Sequence, residues 1–568
     1  MTNSIPPPPP PQPSVSPPPP PASKTPPPPP PPKQTSPRGL TSELLETSVW
    51  TDELLERSGI PIIDSHIVSV GGGLGSFALG HVLRVAGVGT DALSVLGNGS
   101  DPARTYRYLA ENSQIPDGAR LRSDAGSTMD NIWGFPSYAW REAFSAPGLA
   151  EKVAPLWQVM TEPLLSDYYT PRAGQVYRSV ERETKRIGWD SMLKLGVARM
   201  VRRRHGGGYF TLLTPESDPL DEGQQVPRVA YRSPFAHLAV GYPGVKFLDD
   251  LQAYRERHSD YSRVVNAYEP HDQVYEELRH RPSVVLVRGS GIVASRVLQR
   301  LIDDRENHGA QTTIIHLFRN YVDRPQGDSV LFRRPGSNGV AYQGFNFPKA
   351  AWGGQLKEQL ERLDGPGRTE LIKKMGGTNT PKRRDWQGQL ARGRAQGFYQ
   401  QRIGTVQDIA PGPDQTITTT IAAKDGPSET FQANVIIDAT GLEADISENR
   451  LLADLLEHSG AQRNHYGRLD VNPSFELESA RSGYGRLYAS GSITLGGYYA
   501  GVDSFLGLQY SALAIAKDLA KVKAVPDITT SRSAKQWWRW MRNVEPTTTF
   551  AAAPTALAGS QHFAGVQR

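Results

Sequence analysis

Short apolar runs along this chain each end in a cluster of glycines, and a helix-like stretch follows. Ser65 to Val70 reads as a strand, and Gly71-Gly72-Gly73-Leu74-Gly75-Ser76 as a tight turn. A helix over 74–86 then carries Phe77, Leu79, Val82, Leu83 and Val85, and Leu93 to Leu96 forms a second strand. The arrangement returns mid-chain. Val284 to Arg288 leads into Gly289-Ser290-Gly291-Ile292-Val293-Ala294, then a helix over 293–304 and a strand over 312–318. Farther on, 415–421 and 430–437 pattern as a β-hairpin whose second arm runs into Asp438-Ala439-Thr440-Gly441. A last strand, Arg486 to Ala489, enters Ser490-Gly491-Ser492; Gly496, Gly497 and Gly501 follow, then an apolar helix over 507–519. Thr41 as N-cap, with Glu43 in the first turn, marks where folded structure begins. Apolar strands bounded by helices predict an α/β fold with buried parallel sheets. Beyond the two glycine turns no internal repeat is visible.

The two turns share a physical purpose. Their first glycine permits the tight turn, the second lets backbone approach a pyrophosphate, and a small third residue (Ser76 or Ala294) lets helix pack on strand. The phosphates then sit on free N–H groups at the positive end of a helix. Two turns imply two nucleotides, with electrons passing between them. At the second site, His316-Leu317-Phe318 is followed by Arg319, with no acid until Asp323. An arginine there favours the 2′-phosphate of NADPH over the free ribose of NADH.

Composition narrows the class. Charged residues are 21% and hydrophobic ones 38% of 568, which suits a globular enzyme of two or three domains. A net charge of +5 with no basic stripe points to anionic cofactors or substrates rather than nucleic acid. The chain has no cysteine, which excludes disulfides, thiolate metal sites and a catalytic Cys-x-x-Cys pair. Its twelve histidines lack ligand spacing, so no metal is expected. No apolar stretch is long enough to span a membrane or serve as a signal peptide, and a cytoplasmic location follows as the expectation. Residues 1–38 hold 20 of the 47 prolines. They form either a solvated polyproline spacer or a docking segment for a protein partner. Arg202-Arg203-Arg204-His205 fits an anion clamp or a solvated loop, and Trp537, Trp538 and Trp540 fit a short amphipathic helix.

The order of these motifs resembles the flavoproteins with two dinucleotide-binding domains: flavin-containing monooxygenases, N-hydroxylating monooxygenases of ornithine and lysine, and ferredoxin-reductase-like enzymes. The resemblance covers roughly 60–525 in patches. It implies two Rossmann-like three-layer α/β domains, the NAD(P)-binding one inserted in a discontinuous FAD-binding one. The implied bounds are a proline-rich disordered tail at 1–40, FAD-binding parts at 41–280 and 406–525, an NAD(P)H-binding domain at 281–405, and a C-terminal extension at 526–568. By resemblance FAD falls to Gly71, Gly72, Gly73, Gly75, Ser76, Gly491 and Ser492, with Asp130 and Trp133 walling the flavin ring. NADPH falls to Gly289, Gly291, Ala294 and Arg319, with Gly441 completing the cofactor set. The chain departs from the family in three places. The acid that binds the adenosine ribose is missing after Gly97, leaving Asn98 or Asp101 in its place. The late Gly-Asp is Gly491-Ser492, and Ser76 stands where glycine is usual. The implied activity is an NADPH-using, FAD-dependent monooxygenase of a small or medium organic substrate. A flavin reductase serving a partner protein and a non-catalytic nucleotide-binding scaffold remain alternatives. No catalytic residue stands out.

Overall fold

The computed structural model describes residues 40–121, 137–161, 169–216, 227–319, 355–375, 384–424 and 426–551. Two sheets organise them. In the first, the parallel strands lie in the order Arg486–Ala489, Phe235–Leu238, Ile67–Val70, Leu93–Gly97 and Leu193–Arg204. Tyr209–Pro215 and Val229–Ser233 continue it antiparallel, and Ile62–Asp64 closes the edge. In the second, the order is Val264–Asn266, Val435–Asp438, Ser283–Arg288, Thr312–Phe318 and Tyr399–Pro411, with Ile417–Ala423 and Glu429–Ala433 antiparallel beyond.

The two orders match over seven strands, with Ile62–Asp64 extra at the edge of the first. A central strand ends in the glycine turn, the next strand lies on one side, and a strand ending in Ala-x-Gly lies on the other. In each sheet one long strand begins parallel and leaves as the first arm of an antiparallel layer. Its crossing point is a glycine: a Cβ at Gly196 would lie 2.4 Å from the Thr214 oxygen, and one at Gly404 2.4 Å from the Ala422 oxygen. A bulge follows each, between Ala198 and Met200 and between Val406 and Asp408. Bulges of this kind bend a strand and add twist, which turns the antiparallel layer away from the parallel one. The internal repeat is therefore a whole sheet topology, not two turns alone. The turns carry the sequence signature of the repeat.

The second sheet is larger than the expected 281–405. Val264–Asn266 and the strands through Asp438 hydrogen-bond into it, so the segment 417–441, expected within the first unit, lies in the second. The hairpin was visible in the sequence, but not which sheet it joins.

Both parallel layers are covered on two faces, which explains their nearly unbroken apolar strands. In the second sheet Val285 and Val287 face one core with the helices Asp272–His280 and Ile292–His308. Leu286 and Ile436 face the other, with Leu251 and Tyr254 of Asp249–His258. In the first, Leu74–Ala86, Ala173–Ile187 and Phe505–Lys521 bury Phe77, Val180 and Ile515 in one cluster. The C-terminal helix Thr530–Met541 buries Trp540, and the chain beyond it pairs Phe550 with Gly87 and Gly89. The expected amphipathic helix is thus packed against the body on one face. No helix among the described residues is long and apolar enough to cross a membrane.

Candidate cofactor site

The first turn is held by backbone. Gly71 N–H donates to Leu96 O at 2.8 Å, Ala239 N–H donates to Val70 O at 2.8 Å, and a Cβ at Gly71 would lie 2.2 Å from Ala239 O. The second turn repeats this. Gly289 N–H donates to Leu317 O at 3.0 Å, Ala439 N–H to Arg288 O at 2.8 Å, and a Cβ at Gly289 would lie 2.4 Å from Ala439 O. Ala439 thus faces Gly289 as Ala239 faces Gly71. Both glycines have φ near +130° (134° and 127°), so a side chain there is opposed by torsion as well as by the facing carbonyl. Next to Ala439, the buried Asp438 accepts from Thr440 N and Oγ1 at 3.0 and 2.6 Å and from Leu248 N at 2.9 Å, which fixes the turn from 439 to 441.

Each turn opens a helix whose N-cap is glycine, Gly73 for Leu74–Ala86 and Gly291 for Ile292–His308, and neither has a side-chain cap. Thr51, Asn449, Ser504 and Thr529 cap helices elsewhere, while Asp249–His258 and Asp272–His280 also lack side-chain caps. The first-turn amides of the two glycine-capped helices can donate to a ligand, and the dipole favours an anionic one. A Cβ at Gly73 would meet nothing closer than Pro102 O at 4.0 Å, and one at Gly441 nothing within 4 Å, so both positions border open space. Gly75 packs against Ala239, and Ser76 and Ala294 are buried at the helix–strand contact.

At the end of the second strand, Gly72 and Gly97 touch: a Cβ on Gly72 would lie 2.7 Å from the Gly97 Cα. That contact explains the missing acid, since a side chain at 97 would collide with the turn. Asn98 is exposed beside it, whereas Asp101 accepts from Ala103 N at 2.8 Å in the turn before the next helix. Arg319 is exposed one residue beyond Thr312–Phe318, at the carboxyl end of the strand that neighbours the second turn. Gly491 has φ +80° and starts a short 3-10 turn in which Ser492 is buried; Ser492 Oγ and Gln509 Nε2 have no hydrogen-bond partner among the described residues. Buried orphaned polar atoms near the first glycine turn have the chemistry to partner the polar chain of a dinucleotide. Asp130 and Trp133 lie outside the described residues.

The turns do not act alone. His316 donates from Nε2 to Gly289 O at 2.6 Å and accepts from Tyr399 OH at Nδ1, 2.8 Å; burial pushes its pKa down to about 4. This neutral histidine pins the second turn, a role that no pattern in the sequence marks. Between the sheets, Tyr242 donates to Asp503 Oδ2 at 2.8 Å. Tyr242 follows Phe235–Leu238 and Tyr268 follows Val264–Asn266, so both sheets send their carboxyl ends toward one crevice, where ligands of open α/β sheets bind. Asp503 is reachable by solvent yet enclosed by protein. Burial raises its pKa and that of Tyr242, and pushes Tyr268 up to about 12. Nothing in the sequence tied these three positions together.

The arginine run is structural at two positions: Arg202 forms a bidentate pair with Asp454, and Arg204 donates to Asp52 at 2.9 and 2.5 Å.

No protein family's sequence profile and no curated protein sequence matches this chain. Solved structures do match in fold. The FAD-bound cadaverine monooxygenase DfoA of Erwinia amylovora is 12% identical over 82% of this chain and 98% of its own, with a TM-score of 0.57. The ornithine N-hydroxylase KtzI of Kutzneria sp. 744, solved with reduced FAD, NADP+ and L-ornithine, is 13% identical over 81% and 100%, with a TM-score of 0.53. The L-lysine 6-monooxygenase of Pseudomonas syringae is 11% identical over 80% and 99%, with a TM-score of 0.52. The chain thus has the fold of flavoproteins with two dinucleotide-binding domains.

Proposed function

We propose that this chain is an FAD-dependent, NADPH-using monooxygenase that acts on a small organic substrate. The observation that carries the reading is the duplicated cradle: Gly71 against Ala239 and Gly289 against Ala439, each opening an uncapped helix. FAD takes the first cradle, with Ser492 and Gln509 as polar partners for its ribityl chain. NADPH takes the second, with Arg319 at its 2′-phosphate.

FAD, when bound, supplies the two-electron chemistry that links NADPH to dioxygen. The balance is substrate, dioxygen, NADPH and a proton giving hydroxylated substrate, water and NADP+. The chain's own work is positioning. The helix N-termini hold the phosphates and His316 fixes the Gly289 carbonyl. Asp503, held by Tyr242, is placed to keep or release a proton in the crevice between the sheets.

The test is optical. Purified protein is expected to carry, or to take up stoichiometrically, a flavin whose visible band bleaches with NADPH without air and returns with air. NADPH consumption that rises with an added amine, together with hydroxylated product, supports the monooxygenase reading. Oxygen-independent transfer to a protein acceptor would replace it with a reductase, and a protein that never binds flavin would end it.

A further inference from the structure

Beneath the first cradle a buried chain of polar groups runs from Ser76 through residues with no assigned cofactor contact. Ser69 Oγ donates to Ser76 Oγ at 2.9 Å and lies 2.8 Å from His237 Nδ1; His237 Nε2 lies 2.8 Å from Ser490 Oγ. The Ser69 hydroxyl proton is spent on Ser76, so His237 must donate from Nδ1 to Ser69 and accept at Nε2 from Ser490. All four residues are buried, none more than 5% exposed. The chain crosses three strands and ends on two turns: Ser76 belongs to the first cradle, and Ser490 directly precedes Gly491. A Cβ on Gly75 would lie 3.4 Å from Ser490 Oγ, so the two turns are in contact where the relay ends.

The second sheet supplies an internal control. Ser69 pairs with His237 as Val287 pairs with Ile437. Ser76 stands five residues after Gly71, as Ala294 does after Gly289. Ser490 N–H donates to Leu238 O at 2.9 Å, as Ala267 N–H donates to Asp438 O at 2.8 Å. The counterparts of Ser69, Ser76, His237 and Ser490 are therefore Val287, Ala294, Ile437 and Ala267, all packed in one apolar core. The topology folds well with an apolar quartet at these positions. Stability alone does not call for the polar one, because burying polar groups gains little over well-packed apolar ones.

We propose that His237 is a positioning residue: through Ser69–Ser76 and Ser490 it locks the late Ser490–Ser492 turn onto the first glycine turn, so that both halves of the FAD cradle are set before the cofactor arrives. This rests on the FAD assignment made above. At the second cradle the counterpart turn begins at Ala267, and there the same positions are apolar.

The experiment transplants the quartet. The variant S69V/S76A/H237I/S490A carries the second unit's residues, and His237→Gln alone keeps the reach to Ser490. FAD affinity is read by titrating deflavinated protein. The shape of the bound flavin's visible band and NADP+ affinity at the second cradle are read in parallel. The transplant is expected to fold with equal or higher thermal stability, to bind NADP+ within twofold of the parent, and to bind FAD at least tenfold more weakly with a less structured band. His237→Gln should recover part of that loss. A transplant that binds FAD within twofold of the parent, or one that loses FAD and NADP+ affinity equally, overturns the proposal and leaves the FAD assignment standing. A parent protein that binds NADP+ but no FAD overturns both.

Discussion

His237 and His316 are both neutral and fully buried, with pKa values pushed down to about 3 and about 4. In the unfolded chain each returns to about 6.5. Their folded pKa values are depressed, so the stability they help maintain is present above pH 6.5. It is lost as pH falls toward 4 and 3, because only the unfolded state takes up the proton. By pH 5 each costs about 2 kcal/mol relative to pH 7. Chemical denaturation at both pH values is expected to show that loss. His316→Gln, which keeps a donor for Gly289 O, should flatten the dependence by about one histidine's share; an unchanged slope would mean that His316 is not buried neutral. At this scale the sequence was informative for glycines and silent for histidines. Gly71 and Gly289 stand out because a glycine cluster after an apolar strand has few uses besides a tight turn under a ligand. A lone histidine in a strand is compatible with many roles, and only the fold brings Ser69 and Ser490 to His237.

The strand–turn–helix unit is the element to which the proposal gives binding, and each copy can be disabled separately. Gly71→Ala sets a methyl group into the Ala239 carbonyl, and Gly289→Ala does the same at Ala439. Gly289→Ala is expected to yield a protein that retains its flavin but no longer bleaches with NADPH, its NADP+ affinity down at least tenfold. Gly71→Ala should lose flavin and keep NADP+ binding. Retention of both cofactors by both variants would show that the turns do not touch phosphate. Arg319 adds cofactor choice: Arg319→Asp is expected to lower the preference for NADPH over NADH by tenfold or more, measured as the ratio of kcat/KM values, and an unchanged ratio would dismiss the contact. These elements were legible because both pattern and chemistry mark them. The helix over 74–86 and the strand over 312–318 fall where their periodicity put them. The strand 435–438 was visible too, but its neighbour was not, since sheet membership depends on partners far away in sequence.

At the scale of the molecule, the proposed passage of electrons between two cofactors requires the two similar sheets to meet at a fixed angle. Part of the described contact is made by one loop. Gln114, in the left-handed region at φ +62°, presents its carbonyl to Arg296 at 2.8 Å and its side-chain oxygen to Arg300 at 3.0 Å, and donates to Asp272 at 3.1 Å. Beside it, Asn112 donates to the carbonyl of Tyr268, the residue that brings the second unit to the crevice. Hydrogen bonds from this loop thus help set the pose of the second unit against the first, together with the packing of Leu356, Leu360 and Ile372 on Ala500. Arg296→Ala with Arg300→Ala removes the two guanidinium groups that grip Gln114 without touching either cradle. FAD and NADP+ affinities are expected to stay within about threefold, while flavin reduction by NADPH slows at least tenfold, because a shift of about 1 Å between reacting atoms is costly in rate. Stopped-flow reduction without air separates the two quantities. Unchanged reduction would mean that the pose is held elsewhere; weakened NADP+ binding would place the loss in the second cradle and not at the seam.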